Sequence, residues 1–309
     1  MSTSSPAADA ASATAVDAPA GPLTHRQIVT ILIGLMMGMF LAALDQTIVA
    51  TAIRTIADDL QGLNHQAWAT TAYLITSTIV TPLYGKLGDI YGRKKLFIIA
   101  ISVFIIGSVL CTFATSMGSL AFYRAVQGLG AGGLFSLALA IIGDIVPPRE
   151  RAKYQGYFLA VFGTSSVLGP IVGGFFAQAD TFLGITGWRW VFLINVPVGI
   201  LAFVVVTATL HLHHVQKRAT IDWGGALFLI VGLVPALLVA EQGRTWGWTD
   251  ARSLACYAIA AVGVLAFILV EWRQGDNALI PLRIFRNRTI LIGLTGGFAI
   301  GAGMFGGMI

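Results

Sequence analysis

Nine apolar stretches, each about long enough to cross the roughly 30 Å hydrocarbon core of a bilayer, divide this chain along its length. They lie at residues 27–53, 67–84, 96–115, 119–142, 154–178, 190–210, 223–239, 254–270 and 290–309. Only 11% of the 309 residues are charged, whereas a soluble domain carries about 25%. We therefore expect an all-α integral membrane protein with nine transmembrane helices.

The positive charges between the stretches set the expected orientation. If the amino terminus is cytoplasmic, the inner loops hold fourteen of the 19 Lys and Arg residues, the outer loops hold four, and one lies within a span. Short loops rich in Lys and Arg stay on the cytoplasmic side. We therefore predict a multi-pass protein of the plasma or inner membrane whose amino terminus is cytoplasmic.

The first 25 residues differ in composition from the rest of the chain. Ala, Ser, Thr and Pro dominate them, without the basic start and apolar centre of a signal peptide. We expect residues 1–25 to form a disordered cytoplasmic tail.

A short basic turn at residues 85–95 reads Gly-Lys-Leu-Gly-Asp-Ile-Tyr-Gly-Arg-Lys-Lys. Its glycines allow two helices to approach closely and the chain to turn sharply, and one Asp lies among four cations. The turn resembles the loop between the second and third helices of the major facilitator superfamily. The resemblance implies a major facilitator fold with a conformational latch at this turn, formed by Gly85, Asp89, Gly92, Arg93 and Asp144.

Asp45 lies within the first apolar stretch, in the sequence Leu-Asp-Gln-Thr-Ile-Val. An Asp inside a membrane helix costs about 2.5 to 3.5 kcal/mol on insertion scales, so it is a candidate functional residue. The alternative is that Asp45 only pairs with a neighbouring helix. The stretch resembles the Leu-Asp-x-Thr-Ile-Val signature of drug/proton antiporters, with Ala50 where that family usually has Asn.

Arg124 is the cation inside the fourth stretch, in the sequence Arg-Ala-Val-Gln-Gly. This resembles a superfamily pattern whose Arg is tied to proton transfer. A helix rise of about 1.5 Å per residue places Asp45 ~7–8 Å and Arg124 ~9–10 Å from the midplane, on the same side. We therefore expect an ion pair between them, and the resemblance implies that the pair serves proton coupling.

The fifth stretch carries a proline among glycines, at Gly163, Gly169, Pro170, Gly173 and Gly174. The arrangement resembles a motif of exporting antiporters that is largely absent from importers, so it implies the direction of transport. The alternative interpretation is a generic proline kink, because proline removes a helical hydrogen bond.

Two further spans follow the sixth stretch without a long linker, opened by Ile-Asp-Trp-Gly-Gly at 221–225 and closed by Pro-Leu-Arg-Ile-Phe-Arg-Asn-Arg at 281–288. This organisation resembles the fourteen-helix drug/proton antiporter branch. It implies a tail (1–25), a six-helix bundle (26–210), two extra helices with their loops (211–288) and the first helix of a second bundle (289–309). Nine helices do not complete two six-helix halves, so we expect a part of a longer transporter.

The resemblance implies proton-coupled export of amphipathic or cationic drugs and other small molecules by alternating access. An importer of the same fold is one alternative, and a non-transporting membrane scaffold is another, although a scaffold has no reason to bury both an Asp and an Arg. We expect a monomer whose partners are drug-like substrates, protons and membrane lipids, and not nucleic acid. The candidate substrate contacts are Gln46, Trp68, Tyr73, Thr76 and Gln127.

Other chemistry has weak support in the sequence. The glycine run at 128–133 matches a dinucleotide-binding pattern but lies in an apolar stretch rather than after a strand, and no Walker pattern indicates ATP. Cys111 and Cys256 lie in apolar stretches and are interpreted as small core residues. For His211, His213 and His214, contact with lipid headgroups is favoured over a metal site. We therefore expect a secondary active transporter driven by a proton gradient, with no catalytic site, cofactor or metal.

Overall fold

The computed structural model describes residues 25–210, 222–275 and 278–306, and most of these residues are helical. The helices are α1 (His25–Asp59), α2 (Gln66–Tyr91), α3 (Arg93–Thr112), α4 (Met117–Ile145), α5 (Arg151–Gln178), α6 (Trp190–Leu193), α7 (Asn195–Thr209), α8 (Trp223–Trp246), α9 (Ala251–Gln274) and α10 (Arg288–Gly306). The predicted tail lies outside the described residues, except for its last position. The histidines at 211, 213 and 214 also lie outside them.

Seven segments of the described chain are long and apolar enough to cross a bilayer. They are α1, α3, α4, α5, the segment Gly187–Thr209 that contains α6 and α7, α8 and α9. The expected helical membrane fold is therefore confirmed, while the count of nine spans stays a prediction. Helices α2 and α10 occupy the predicted places but are not among the seven; in α2, six of the 26 residues are Ser or Thr.

Glycine and capping side chains set where the helices begin and end. Gly92 has a φ of 98°, a conformation that glycine adopts without strain, and it separates α2 from α3. Ser116 caps α4 by accepting a hydrogen bond from the Ser119 backbone N–H at 3.1 Å. Asp222 caps α8 in the same way, accepting from the Gly225 N–H at 2.7 Å. These local signals place the turns at the two ends of the bundle.

The one departure from a wholly helical expectation in the described chain is a small hairpin between α5 and α6. Strands β1 (Thr181–Phe182) and β2 (Ile185–Thr186) pair antiparallel. Just after the hairpin, the Trp188 indole N–H donates to the Asp59 carboxylate at the end of α1, at 2.7 Å. We call the end of the bundle that carries residues 85–95 the basic end. The hairpin lies at the other end.

Helix α4 packs against both α2 and α3 at positions where it has glycine. A Cβ on Gly128 would lie 2.5 Å from the Tyr73 carbonyl oxygen in α2, and one on Gly130 would lie 2.5 Å from a backbone nitrogen of α3. On the α3 side, a Cβ on Gly107 would lie 2.5 Å from the Gln127 Cα. Small residues let membrane helices approach this closely. The glycine run of α4 is therefore a helix-packing surface.

Helices α8 and α9 form a separate antiparallel hairpin that also contacts α2. They pack closely at two glycines, since a Cβ on Gly263 would lie 2.5 Å from the Gly232 nitrogen. Most side chains of α9 face outward, as expected for a helix with lipid on one side. The described side chains of α10 are nearly all exposed.

Candidate functional site in the helix bundle

Asp45 lies on the enclosed face of α1, where 0% of its surface is exposed. Its neighbours along that face are the apolar Leu41 and Ile48. An ionisable side chain in such surroundings is costly unless nearby groups compensate its charge and its hydrogen bonds. The surrounding helices provide both.

Arg124 of α4 supplies the opposite charge and is 1% exposed. Its Nη1 lies 2.5 Å from the Asp45 Oδ2 atom. The guanidinium also lies over the Tyr73 ring, 4.0 Å from its centroid, and Nε donates to the Ala69 carbonyl oxygen at 3.4 Å. The predicted ion pair is present, and a cation–π contact with α2 holds the guanidinium in place.

Three neutral side chains complete the hydrogen bonding around this pair. Gln127 Nε2 donates to Asp45 Oδ1 at 2.9 Å and to the Ser108 hydroxyl at 2.6 Å. Asn195 Nδ2 donates to the same two groups, at 2.7 Å and 3.1 Å. Gln127 Oε1 in turn accepts from Arg124 Nη1 at 2.7 Å. We call Asp45, Ser108, Arg124, Gln127 and Asn195 the ionic centre, which joins α1, α3, α4 and α7.

Local geometry explains how distant segments converge at the ionic centre. Arg124 and Gln127 are three residues apart in α4 and therefore share one face of the helix. Gly107 lets the α3 backbone come against Gln127, which brings the adjacent Ser108 within hydrogen-bond distance of the amide. Asn195 is the first residue of α7, and it reaches Asp45 from 150 positions away.

The arrangement constrains the proton chemistry available to Asp45. Its carboxylate accepts three hydrogen bonds, from Arg124, Gln127 and Asn195. A protonated carboxyl would donate its own O–H and would therefore need an acceptor nearby. Asn195 Oδ1 is a buried acceptor without a hydrogen-bond partner. Rotation of the Asn195 amide would present this oxygen to a protonated Asp45.

A second group of charges lies at the basic end, where α2, α3 and α4 meet. Arg93 Nη2 lies 2.9 Å from Asp89 Oδ1, and Arg93 Nη1 lies 2.7 Å from Asp144 Oδ2. The Arg93 side chain also donates to a backbone carbonyl of α4. The three side chains are 21%, 41% and 50% exposed in the order Arg93, Asp89, Asp144. We call them the basic-end cluster. Gly92 turns the chain beside it, and a Cβ built on Gly85 would meet no neighbouring helix within 4 Å.

The glycines of α5 divide into two sets. A Cβ on Gly173 would lie 2.8 Å from the Ile48 carbonyl oxygen, and one on Gly169 would meet Thr47, so both sit against α1 about one turn beyond Asp45. The Thr47 hydroxyl also donates to a carbonyl of α5 at 3.0 Å. A Cβ on Gly163 or Gly174 would meet no neighbouring helix within 4 Å, and Pro170 faces outward. The α5 motif therefore packs α5 beside the ionic centre through two of its four glycines.

Comparison with known proteins identifies the family to which this helix bundle belongs. A sequence model of the Major Facilitator Superfamily matches residues 35–309. The chain belongs to the major facilitator superfamily. This confirms the resemblance seen in the basic turn, and with seven candidate spans it makes the protein a multi-pass membrane protein.

Two major facilitator relatives come from Bacillus subtilis (strain 168). The chain is 38% identical to multidrug transporter protein MdtP over 88% of this chain and 49% of that protein. It is 40% identical to multidrug resistance protein 3 over 84% of this chain and 49% of that protein. The chain thus spans about half the length of these curated relatives. The D-xylose-proton symporter structure covers 80% of this chain and 69% of its own, with a TM-score of 0.53. At 16% identity it shows the shared fold alone.

The predicted substrate contacts of this major facilitator chain occupy different surroundings. Tyr73 is 1% exposed and Gln127 is 0% exposed, and both contact Arg124. Thr76 is half-buried, and its hydroxyl bonds to its own helix at 2.9 Å. Gln46 is half-buried and Trp68 is 36% exposed. Of the five residues, Gln46, Trp68 and Thr76 are accessible in this conformation, and substrate binding by all five stays a prediction.

Sequence reasoning did not assign Ser108 and Asn195 to the site. Asn195 lies in the segment Ile-Asn-Val-Pro, where an amide amid apolar residues is a signal that a buried polar partner exists. Ser108 gives no comparable signal, because serine is common in membrane helices and bonds to its own backbone. Only the position of α3 beside α4 assigns it to the ionic centre.

Proposed function

We propose that this chain forms part of a proton-coupled exporter of amphipathic or cationic small molecules. The observation that carries the proposal is the ionic centre, where Asp45 and Arg124 pair at 2.5 Å without exposure to solvent. Two relatives at 38% and 40% identity are named for multidrug transport or resistance, which supports the substrate class. No cofactor is required, because the proton gradient supplies the driving force.

Asp45 is the proposed proton carrier, and its hydrogen bonds provide the coupling. A proton on Asp45 would remove the charge that attracts Arg124 and weaken the hydrogen bonds from Gln127 and Asn195, which loosens contacts among α1, α4 and α7. A cationic substrate would compete with Arg124 for the carboxylate and so favour proton release. Loss of contacts on protonation, and their return on release, would bias the alternation between outward-open and inward-open states.

Export is the proposed direction, because the proline and glycines of α5 resemble a motif of exporting antiporters. Two of these glycines, Gly169 and Gly173, pack against α1 about one turn from Asp45. An importer of the same fold remains the alternative within transport. A non-transporting scaffold is disfavoured because a buried ion pair adds little stability compared with well-packed apolar residues, so function is the better reason to keep one. We also propose that the basic-end cluster acts as the latch of one conformation.

Exchange of Asp45 for Asn tests proton coupling. The intact protein in proteoliposomes with an imposed pH gradient should accumulate the cationic dye ethidium, and Asp45→Asn should reduce this accumulation to background. Asn keeps the size and can still accept hydrogen bonds, but it cannot exchange a proton. Asp58→Asn is the matched control, because it removes the same charge from an exposed position of the same helix.

Energy-independent ethidium exchange separates loss of coupling from loss of folding. Asp45→Asn should retain this exchange, since exchange needs binding and alternation without net proton movement. If Asp45→Asn still accumulates ethidium against its gradient, the proton site lies elsewhere. Net movement in the importing direction would favour the alternative, and no movement by the wild type would favour a scaffold.

We propose that the basic end faces the cytoplasm, as the charge distribution predicts. Single cysteines at Lys94 and Asp250, in a chain whose Cys111 and Cys256 are replaced by Ala, should react oppositely with an impermeant thiol reagent. On intact cells only position 250 should be labelled. Labelling of position 94 from outside would reverse the proposed orientation. We also propose, from its family, that the protein is a monomer. From its charge we propose that it contacts anionic lipids.

A further inference from the structure

Two acidic side chains meet at the basic end of the α8–α9 hairpin, away from the ionic centre. Asp222 precedes α8 and Glu271 lies in the last turn of α9, and each is 1% exposed. The hairpin brings them together although 49 positions separate them in the sequence. Carboxylates this enclosed are rare in proteins unless they are paired.

Each carboxyl group uses one oxygen and leaves the other without a partner. Asp222 Oδ1 accepts from the Gly225 N–H at 2.7 Å and from Gln274 Nε2 at 2.8 Å. Glu271 Oε2 accepts from the Ile280 N–H at 2.9 Å. Asp222 Oδ2 and Glu271 Oε1 are both buried and have no hydrogen-bond partner.

The two unpartnered oxygens lie close to the same position, beside the Cα of Gly225. A Cβ on Gly225 would lie 2.5 Å from Asp222 Oδ2 and 2.6 Å from Glu271 Oε1. The two oxygens are therefore no farther apart than the sum of these distances. Glycine at this position leaves the space that both oxygens occupy, and a larger residue would separate them.

The charged groups around the pair come from the neighbouring segments. On the side of α2, Lys86 donates to the Ala278 carbonyl oxygen at 3.1 Å. On the side of the turn Leu282–Arg286, Arg283 and Arg286 line a groove of about 290 Å³ that Glu271 also lines. Cations therefore lie near the pair on both of these sides, and the two unpartnered oxygens lie against the same glycine.

We propose that Asp222 and Glu271 form a second proton-binding site, in which Asp222 Oδ2 and Glu271 Oε1 share one proton. Two ionised carboxylates buried side by side would repel each other, and two neighbouring acceptors without partners lack only a donor between them. A proton supplies that donor. A metal ion fits less well, because no cluster of three or more His, Cys, Asp or Glu residues in the described chain could hold one.

The site would join three segments of the chain. Glu271 holds the segment that leads to α10 through the Ile280 N–H, Asp222 caps α8, and Lys86 of α2 holds the same segment at Ala278. Loss of the proton would leave two like charges at this junction and weaken the contact of the hairpin with α2. The proposal is independent of Asp45 and of the direction of transport.

Infrared spectroscopy of the intact protein in lipid nanodiscs tests the shared proton. At neutral pH the wild type should show the C=O stretch of a protonated carboxyl, and both Asp222→Asn and Glu271→Gln should lose it. Each amide supplies an N–H to the remaining carboxylate, which then stays ionised. Asp45→Asn should retain the band. A band that survives in Glu271→Gln, or in Asp222→Asn, would overturn the shared proton.

Thermal unfolding provides a second readout. Because the proton is bound in the folded state, the melting temperature of the wild type should fall as the pH rises through the range in which that proton is released. This fall should be absent in both single amide variants. Restoration of the wild-type melting temperature at high pH by calcium would overturn the proposal in favour of a metal ion.

Two neighbouring glycines give a matched test without any change of charge. Gly225→Ala should remove the infrared band, since its Cβ would force the two oxygens apart. Gly224→Ala should retain the band, because its Cβ would make ordinary contacts at 3.4 Å and 3.5 Å. Equal spectra for these two variants would contradict the proposed geometry.

Discussion

The ionic centre and the basic-end cluster are both Asp–Arg groups, yet they lie in opposite environments. Asp45 and Arg124 are 0% and 1% exposed, and three neutral side chains complete their hydrogen bonds. The side chains of Asp89 and Arg93 are 41% and 21% exposed, and they pair at 2.9 Å across the turn between α2 and α3. The same pair of residue types thus forms a sealed network in one place and a solvated contact in the other.

This difference changes what each group contributes. A buried ion pair adds little net stability, but removal of one partner leaves a buried charge without compensation, which costs about 3–5 kcal/mol. A solvated pair is worth about 0–1 kcal/mol and is screened by salt. A group that must open and close in every cycle, as a latch does, benefits from the weaker bond. A group that binds a proton selectively benefits from the sealed one.

The largest expected effect is on the buried side of this comparison. Arg124→Met should lower the free energy of unfolding by about 3–5 kcal/mol, because Asp45 would remain buried without its counter charge. Denaturant unfolding of the purified protein in detergent, followed by helical circular dichroism, measures the loss.

A double variant isolates the charge effect. Asp45→Asn combined with Arg124→Met should be more stable than Arg124→Met alone, because the uncompensated carboxylate is then removed. If the two changes simply add, the large cost comes from lost packing against Tyr73 rather than from the charge, and the comparison with the basic-end cluster fails.

The smallest expected effect is at the basic end. Asp89→Asn should change the free energy of unfolding by less than about 1 kcal/mol, and the change should disappear in about 1 M salt, where the screening length falls to about 3 Å. Transport turnover should slow nevertheless, since the proposed latch loses one of its two carboxylates. Initial rates of ethidium transport in proteoliposomes measure the turnover.

Glu150→Gln provides the control for the basic end, because Glu150 is exposed near the start of α5. It should leave both stability and turnover unchanged. A salt-insensitive stability loss in Asp89→Asn, comparable with that of Arg124→Met, would show that the two clusters do not differ as their exposure indicates.

The ion pair of the ionic centre could be predicted from the sequence because depth in a membrane helix is a local property. Counting residues at a fixed rise placed Asp45 and Arg124 at similar height, and the structure brings them to 2.5 Å. The partners Ser108 and Asn195 could not be predicted in this way. Their contribution depends on how α3 and α7 are rotated about their axes, and no single helix determines that rotation.

The sequence by itself determined that the chain is a helical membrane protein, that glycines turn it at residues 85–95, and which charged residues lie within its apolar stretches. These properties follow from composition and short-range geometry. Only the tertiary structure decided which glycines bring backbones together, which amides reach Asp45, and that Asp222 and Glu271 both lie against Gly225. Such contacts join residues far apart in the chain, and they arise from the packing of several helices at once.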